Sequence, residues 1–592
     1  RAVVIGGGVV GASVLYHLAK FGWKDVCLIE RDILTAGSSW HAAGGIHALN
    51  ADPNIASLQA YTIDLLSEIE KESGQNIGLH MTGGMTLAGT PDRWEWLQSA
   101  YRTFQSIGID DCRLITPKEA GELCPIMSTE GILGGMWADR EGYIDTTGTV
   151  HAYAGAAKKH GAEVIEHNRV LELNQTAEGW EVVTEKGTIH TEHVVNAAGL
   201  WAKQVGRMAG VELPVSPLNH HYLISDTIPQ LEEIDFEVPM TVDLEGFTYL
   251  RQDQKGVLLG IYEVDHEHWA MDGAPWDYGM ELFQEQTDRI ENELILGFNR
   301  YPCLQEVGVK TWVNGAFTFS PDGNPLVGPV PGKRGYWSAC GVMAGFSQGG
   351  GVGLMLAQWM IEGETERDTM AMDVARFGDW ATPDWGTVKS TENYERRFVM
   401  TFPNETLPKG RLQKTTALYD RLIAKGARMG QGFGLENALW FADGPDDAHE
   451  EPTFERNRSH DYVAREVKAV QEAVGGIEIA NFAKHEVKGA GARAWLDRIL
   501  AGYVPKPGRL TLTPMLTPKG RLYGDLTVAC LAEDHFMLFG SGAMQDAHRR
   551  WFEKDLPADV AYANVSDDWH GIALSGPKSR ELLARITRDD VS

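Results

Sequence analysis

Residues 2–30 read AVVIGGGVVGASVLYHLAKFGWKDVCLIE, and the fold follows from this stretch. Ala2–Ile5 is a short apolar run of the kind that forms a buried strand. Gly6-Gly7-Gly8-Val9-Val10-Gly11 follows with the G-x-G-x-x-G spacing. A helical pattern runs through Ala12–Phe21, and a second apolar run, Val26–Ile29, closes on Glu30. Strand, glycine turn, helix, and a strand ending in an acid together make a nucleotide-binding βαβ unit. Gly6 permits the tight turn, Gly8 lets the backbone approach a pyrophosphate, and Gly11 lets helix and strand pack closely. Free N–H groups at the helix N-terminus favour an anion. Glu30 accepts hydrogen bonds from ribose hydroxyls, which disfavours a 2′-phosphate.

Outward from that unit, the chain has 592 residues, 43% of them hydrophobic, too many for one ordinary core. Lys and Arg number 53 against 82 Asp and Glu, a formal net charge of -29, and such a surface repels nucleic acid. Six cysteines occur and none forms a C-x-x-C pair. A disulfide framework or thiolate zinc site is therefore not expected, and a reducing compartment fits. Asp265-His266-Glu267-His268 has metal-ligand spacing but no third supporting element, so it reads as a solvated loop and no metal is expected. No apolar run is long enough to span a bilayer, and no membrane partner is expected. The chain opens at Arg1 directly into a strand and stops at Ser592 after a helical stretch. Both ends read as cut, so a targeting segment is not legible. The expected location is the cytoplasm of a bacterium or the mitochondrial matrix of a eukaryote.

The glycine motif alone does not separate NAD from FAD. Val194-Val195-Asn196-Ala197-Ala198-Gly199 is an apolar strand ending in small residues. Ser320–Gly328 precedes a glycine-rich stretch, Gly341–Gly353, with Gly345 and Gly349-Gly350-Gly351, and a helix is expected over Val352–Ile361. A reduced flavin carries negative charge at its N1–C2=O edge, and a helix N-terminus reached through bare glycine backbone stabilises it. These segments resemble those of the glycine and sarcosine oxidase-like flavoproteins. Between them, roughly 215–310, Phe247–Arg251 and Gly256–Tyr262 alternate like strands of a substrate-binding sheet. Residues 381–430, with Pro383, Pro403 and Pro408, read as a linker.

Ser38-Ser39-Trp40-His41-Ala42-Ala43-Gly44 closely resembles the flavin-attachment segment of the dimethylglycine and sarcosine dehydrogenase family. Similarity continues through Glu141–Asp145, Val194–Ala202, Leu218–Tyr222, Tyr249–Arg251, Val313–Gly315 and Pro321–Gly328. The resemblance implies FAD bonded through its 8α-methyl carbon to His41. It implies contacts to Gly6, Gly8, Gly11, Glu30, Arg31, Ser39, Ala43, Gly44, Val170, Ala198, Gly199, Gly345, Gly349 and Gly350. His220 and Tyr249 match the family's positions near the substrate amine and are expected on neighbouring strands. Beyond residue 430 the chain is similar to the family's folate domain, itself like the glycine-cleavage aminomethyltransferase. Met515–Arg521, Asp525–Val528, Gly540-Ser541-Gly542 and Ser575-Gly576-Pro577 carry that likeness. Asp546 matches an acid that assists the folate chemistry. Gly476–Asn481 departs from the family, which has an Asp and a Ser there, and about half of the folate domain is missing.

The expected architecture is therefore α/β and α+β. A Rossmann-like FAD domain with an antiparallel substrate sheet occupies 1–380, its nucleotide segments at about 1–50, 140–215 and 310–365. An aminomethyltransferase-like part follows at 431–592. The resemblance implies oxidation of a small N-methyl amine, dimethylglycine before sarcosine. Electrons pass to an electron-transfer flavoprotein or to oxygen, and the one-carbon unit to tetrahydrofolate, or to water as formaldehyde. An NAD-dependent dehydrogenase would leave His41 and Gly345–Gly353 unexplained, and a folate-binding module with a dead flavin domain would show damaged motifs.

Overall fold

The computed structural model describes residues 1–591, in two compact units. Unit 1 comprises Arg1–Val374 and Thr382–Met400, and unit 2 comprises Ala375–Ala381 and Thr401 onward.

Unit 1 is built on two sheets. The first has the strand order Leu326–Pro329, Tyr336–Cys340, His193–Asn196, Ala2–Ile5, Val26–Ile29, Glu163–Ile165. Four of its five pairings are parallel, all but Leu326–Pro329 with Tyr336–Cys340, which requires both faces covered and accounts for the unbroken apolar runs. Helices α1 (Val9–Lys20) and α3 (Gly345–Glu362) pack on this sheet and on each other, and α2 (Pro53–Ser73) packs on α3. The second sheet has eight strands: Val309–Phe319, Ser216–Ser225, Gly256–Ile261, Thr248–Asp253, Met240–Asp243, Gly84–Ala88, Gly134–Ala138 and Cys112–Ile115. All its pairings are antiparallel except Met240–Asp243 with Gly84–Ala88.

Several expectations need correcting. The substrate sheet is not confined to 215–310, since strands from 84–138 and 309–319 complete it. Short local runs cannot disclose a partner a hundred residues away. Residues 381–430 are no bare linker: α4 (Pro383–Glu395), capped by Thr382 accepting from the Trp385 N–H, belongs to unit 1. Pro383 starts that helix at its first position, where its missing N–H costs nothing. The N-terminal helix begins at Val9, not Ala12. Helix α3 begins at Gly345, seven residues before the expected start, so Gly349–Gly351 lie inside it.

Unit 2 contains a five-stranded antiparallel sheet, ordered Arg509–Leu516, Leu522–Ala532, His535–Ser541, Phe482–Lys488, Ala561–Asn564. Trp495, Leu496, Phe536 and Phe552 fill the core beneath it. Among the described residues no helix is long and apolar enough to cross a membrane, and no group of three or more His, Cys, Asp or Glu side chains is arranged to hold a metal ion.

Candidate active site

One long cleft of unit 1, about 1940 Å³ with its mouth included, runs from the first sheet to the second. Gly6, Gly7 and Gly8 line one end, where Gly6 adopts φ +116 and a Cβ would collide with the Ala197 carbonyl. Gly11 does not line the cleft; a Cβ there would strike the Gly6 carbonyl, so it serves the helix–strand approach. Glu30 accepts from the Gly7 N–H at 2.7 Å and the Asp32 N–H at 2.9 Å. Burial pushes its carboxyl above the ordinary carboxylate range, and those two N–H donors offset part of the rise. Arg31 lies over the Trp201 ring at 4.0 Å. Val170, Ala198 and Gly199 also line this end.

His41 lies on the wall of the cleft on a loop pinned from several sides. Tyr222 donates its hydroxyl to the His41 carbonyl at 2.9 Å, and Arg251 donates to the Ala43 carbonyl at 2.6 Å. Ser38 donates to the Ala316 carbonyl at 2.6 Å, while the Ser39 hydroxyl accepts from the Val9 N–H at 3.1 Å. The His41 ring is packed against Gly315, where any Cβ would strike it. Burial brings its pKa down to about 4, with the His41 and Ala316 carbonyls partly opposing the fall. Its Nε2 is buried and has no protein partner. Ala43 and Gly44 continue the same wall.

At the other end His220 stands between two hydroxyls, Tyr394 at 2.8 Å from Nδ1 and Tyr249 at 3.0 Å from Nε2. His220 and Tyr249 are not on neighbouring strands. Gly256–Ile261 runs between theirs, and Gly260, opposite Tyr249 in register, leaves the space that the Tyr249 ring occupies. Burial lowers the His220 pKa to about 4 and raises the Tyr249 and Tyr394 hydroxyls. The ring is therefore neutral, one nitrogen donating and the other accepting. His221 points the opposite way, as alternation requires, and pairs with Glu263 at 2.6 Å.

Of the glycines in α3, Gly345 lines the cleft with Phe346 and Ser347, whereas Gly349 and Gly350 do not. Their missing side chains serve helix packing. A Cβ at Gly350 would lie 2.9 Å from Thr62, and one at Gly351 would press on Leu58 at 2.5 Å. Asp265–His268 is not a wholly solvated loop either: His268 meets the Thr391 hydroxyl at 2.6 Å and His266 packs on Tyr394. Tyr262 entered the sequence analysis only as the end of an alternating strand, and Phe317, Tyr394 and Arg397 did not enter it. Tyr262 was reachable, being two residues after Gly260 on an alternating strand. Tyr394 ends a polar helix and Arg397 lies in the turn after it, neither with a distinguishing pattern.

In unit 2, Asp546 is the second residue of α5 (Gln545–Glu553), 3.8 Å from Arg549, its carboxylate packed over Gly378. Burial raises its pKa, against the lowering effect of Arg549. A small cavity beside it is lined by Gln545, Gly542, Asn481 and Lys414, but not by Asp546 itself.

Glycine cradle, buried acid at the nucleotide end, and an unpartnered neutral imidazole on the wall fit FAD, and together they define an FAD-dependent oxidoreductase. The chain matches the family described as "FAD dependent oxidoreductase" over residues 1–359 and its "FAD dependent oxidoreductase central domain" over 362–416. Residues 418–592 match the "GCVT N-terminal domain". Mouse mitochondrial dimethylglycine dehydrogenase is 35% identical over 603 residues, covering 100% of this chain and 69% of the mouse protein. Human mitochondrial sarcosine dehydrogenase is 30% identical over 643 residues, with 100% and 69% coverage. The crystal structure of L-proline dehydrogenase from P. horikoshii is similar with a TM-score of 0.55 and 25% identity, covering 65% of this chain and 96% of that one. The chain belongs to the dimethylglycine and sarcosine dehydrogenase family, FAD-dependent oxidoreductases acting on CH–NH donors.

Proposed function

We propose that this protein oxidatively demethylates an N-methyl amino acid, N,N-dimethylglycine before sarcosine, with its FAD bonded to His41. The observation that carries the reading is the neutral His220, bracketed by Tyr249 and Tyr394, in the same cleft as the unpartnered His41 Nε2. FAD, when bound, supplies the acceptor for the hydride that leaves the N-methyl carbon. Gly6, Gly8, Glu30, Arg31, Ser39, Val170, Ala198 and Gly199 would hold its nucleotide end, and Ala43, Gly44 and Gly345 its ring end.

The residues around His220 serve the amine. A hydride leaves a neutral amine far more readily than an ammonium ion. Glu30 is the single carboxylate lining the cleft among the described residues, and it lies at the nucleotide end, so no carboxylate lines the substrate end to pair with an ammonium. Tyr249, oriented by His220, is the polar group that meets the amine, while apolar Phe317 and Met343 exclude water. Loss of the hydride leaves an iminium. Water adds to it and releases formaldehyde and the demethylated amine; tetrahydrofolate, if held on unit 2, would instead supply the nucleophile for the carbon, and Asp546 is the acid that would steer a proton there. The electron acceptor is an electron-transfer flavoprotein or oxygen.

The test is anaerobic flavin reduction by dimethylglycine, sarcosine and other N-methyl amines, followed by the same assay with oxygen. Dimethylglycine is expected to bleach the flavin fastest and to yield sarcosine. A flavin left oxidised by every N-methyl amine defeats the proposal.

A further inference from the structure

Residues 271–280 form a strap at the nucleotide end of the cleft. The strap has no helix or strand of its own, and side chains from elsewhere take up its backbone carbonyls. Arg31, Trp201 and Gln204 donate to four of them. Lys203 donates to the Met271 carbonyl at 3.2 Å and Arg207 to the Asp272 carbonyl at 2.9 Å. Apart from Arg31, these donors belong to one segment, 201–207, which follows the cleft-lining Ala198 and Gly199. A segment held by side chains rather than by a ladder can open without breaking a sheet or a helix. Both of its ends are strained: Ala270 has φ +48 and Met280 φ +53, left-handed backbone that a residue with a side chain adopts only at a cost.

One side chain of the strap enters the cleft. Trp276 lines it together with Arg31, Asn168, Arg169 and Val170. Arg169 lies over the Trp276 ring at 5.5 Å and is paired with Glu185 at 3.5 Å, so the indole is braced from that side. Arg31 gives its two terminal nitrogens to the Trp276 and Tyr278 carbonyls, and its buried Nε has no partner. The order along the cleft sets what meets this wall. A dinucleotide with its pyrophosphate at Gly6–Gly8 and its ribose at Glu30 carries its base onward, to the residues after Glu30 and beside Val170. An indole there offers a flat apolar face on which a purine stacks.

We propose that residues 271–280 are a clasp for the adenosine half of FAD: Trp276 covers the adenine, and the clasp opens at Ala270 and Met280 to admit the dinucleotide. This rests on the reading of the cleft as an FAD site. The Arg31 Nε–H is the donor left for a purine nitrogen, so one guanidinium holds the strap closed and meets the base. Closure and adenosine binding therefore favour each other, since each immobilises the same side chain.

The test uses the full-length protein carrying His41→Ala, so that flavin exchanges freely, and three probes: FAD, FMN, which lacks the adenylate, and ADP, which lacks the flavin. Chymotrypsin, which cuts after Trp276 and Tyr278, reads the strap, with the cut mapped by peptide mass. FAD and ADP are expected to slow cleavage in the strap on the order of 10-fold, and FMN to leave it unchanged. Trp276→Ala should weaken FAD binding about 10-fold, followed by flavin fluorescence, with FMN binding unaffected, and Trp276→Phe should recover most of the loss. Unchanged FAD binding in Trp276→Ala overturns the proposal. So does strap cleavage equally fast with and without ADP in the parent protein, a result that does not depend on whether the variant folds. If FAD binds and the strap is unprotected, the clasp falls and the flavoprotein reading stands; a chain that takes up neither FAD nor ADP loses both.

Discussion

A histidine held neutral by burial, with one ring nitrogen unpartnered, is prepared for a bond to carbon; His41 meets both conditions. His41→Ala is expected to give a protein whose FAD is freed by acid precipitation, while the native His41 peptide carries the flavin mass. Gly6–Gly8 and Glu30 should still bind FAD in the variant. His220→Gln and Tyr249→Phe are expected to slow flavin reduction on the order of 10²-fold each, by stopped-flow absorbance, with flavin content unchanged. Because burial takes His220 to about 4, the rate of reduction in the native enzyme should show no histidine step near pH 6.5. Parent rates in both variants would make the pair structural. Gly6–Gly11 and Glu30 were legible because they carry a motif of fixed spacing, and His41 because its segment resembles the family's flavin-attachment segment. Arg397 was not, because an isolated arginine in the turn after a polar helix has no sequence signature.

At the scale of elements, α3 shows what a run of glycines can mean. Gly349, Gly350 and Gly351 looked like a loop reaching a ligand, yet they are helical and let α1 and α2 approach. The three positions differ in the room they leave. A Cβ at Gly349 would sit in ordinary contact with Val9 at 3.4 Å, whereas one at Gly351 would press on the Leu58 backbone carbonyl at 2.6 Å. Gly349→Ala should therefore be tolerated or gain up to about 1 kcal/mol from helix propensity. Gly351→Ala should lose about 1–3 kcal/mol as α2 is pushed away. Thermal melts separate the two, and a fall in flavin content with Gly349→Ala would restore the ligand-contact reading. The stretch Met271–Tyr278 behaves differently. It lacks regular structure but is held by side chains reaching its carbonyls: Arg31 to Trp276 at 2.8 Å and also to Tyr278, Trp201 to Pro275 at 3.0 Å, Gln204 to Ala274 at 2.8 Å. Arg31→Ala should make this stretch more sensitive to limited proteolysis.

For the whole molecule, two consequences follow from the chain's carrying a second unit. The first is acid sensitivity. His485 and His548 are buried in unit 2, and burial lowers their pKa values to about 3 and about 4. In the unfolded chain both titrate near the ordinary ~6.5. Between that value and the folded ones, the unfolded state binds protons that the folded state does not. Their stabilisation is thus complete above about pH 6.5 and is lost as pH falls toward 4, by up to about 1.4 kcal/mol per pH unit for each histidine. Melting temperatures of unit 2 from pH 7.5 to 4.5 should fall accordingly, and His548→Gln should flatten the slope. The second is the fate of the one-carbon unit. Tethering an iminium-producing unit to a folate-type unit raises the effective concentration of product at its acceptor. Free formaldehyde should fall when tetrahydrofolate is present, and Asp546→Ala should restore it with amine oxidation unchanged. Equal formaldehyde with and without folate would leave unit 2 without a trapping role.

The sequence by itself determined the nucleotide-binding unit, the candidate flavin-bearing histidine and the fusion of two kinds of domain. The first is a local pattern, in which a few residues at fixed spacing dictate a turn and a strand end; the other two rest on stretches that resemble the family's segments. Only the tertiary structure decided that strands from 84–138 complete the substrate sheet, that Tyr249 reaches His220 across Gly260, and that α4 delivers Tyr394 and Arg397. Each of those depends on pairing between residues far apart in the chain. Apolar burial drives such pairing without direction, so local sequence leaves it unspecified until the sheets pack.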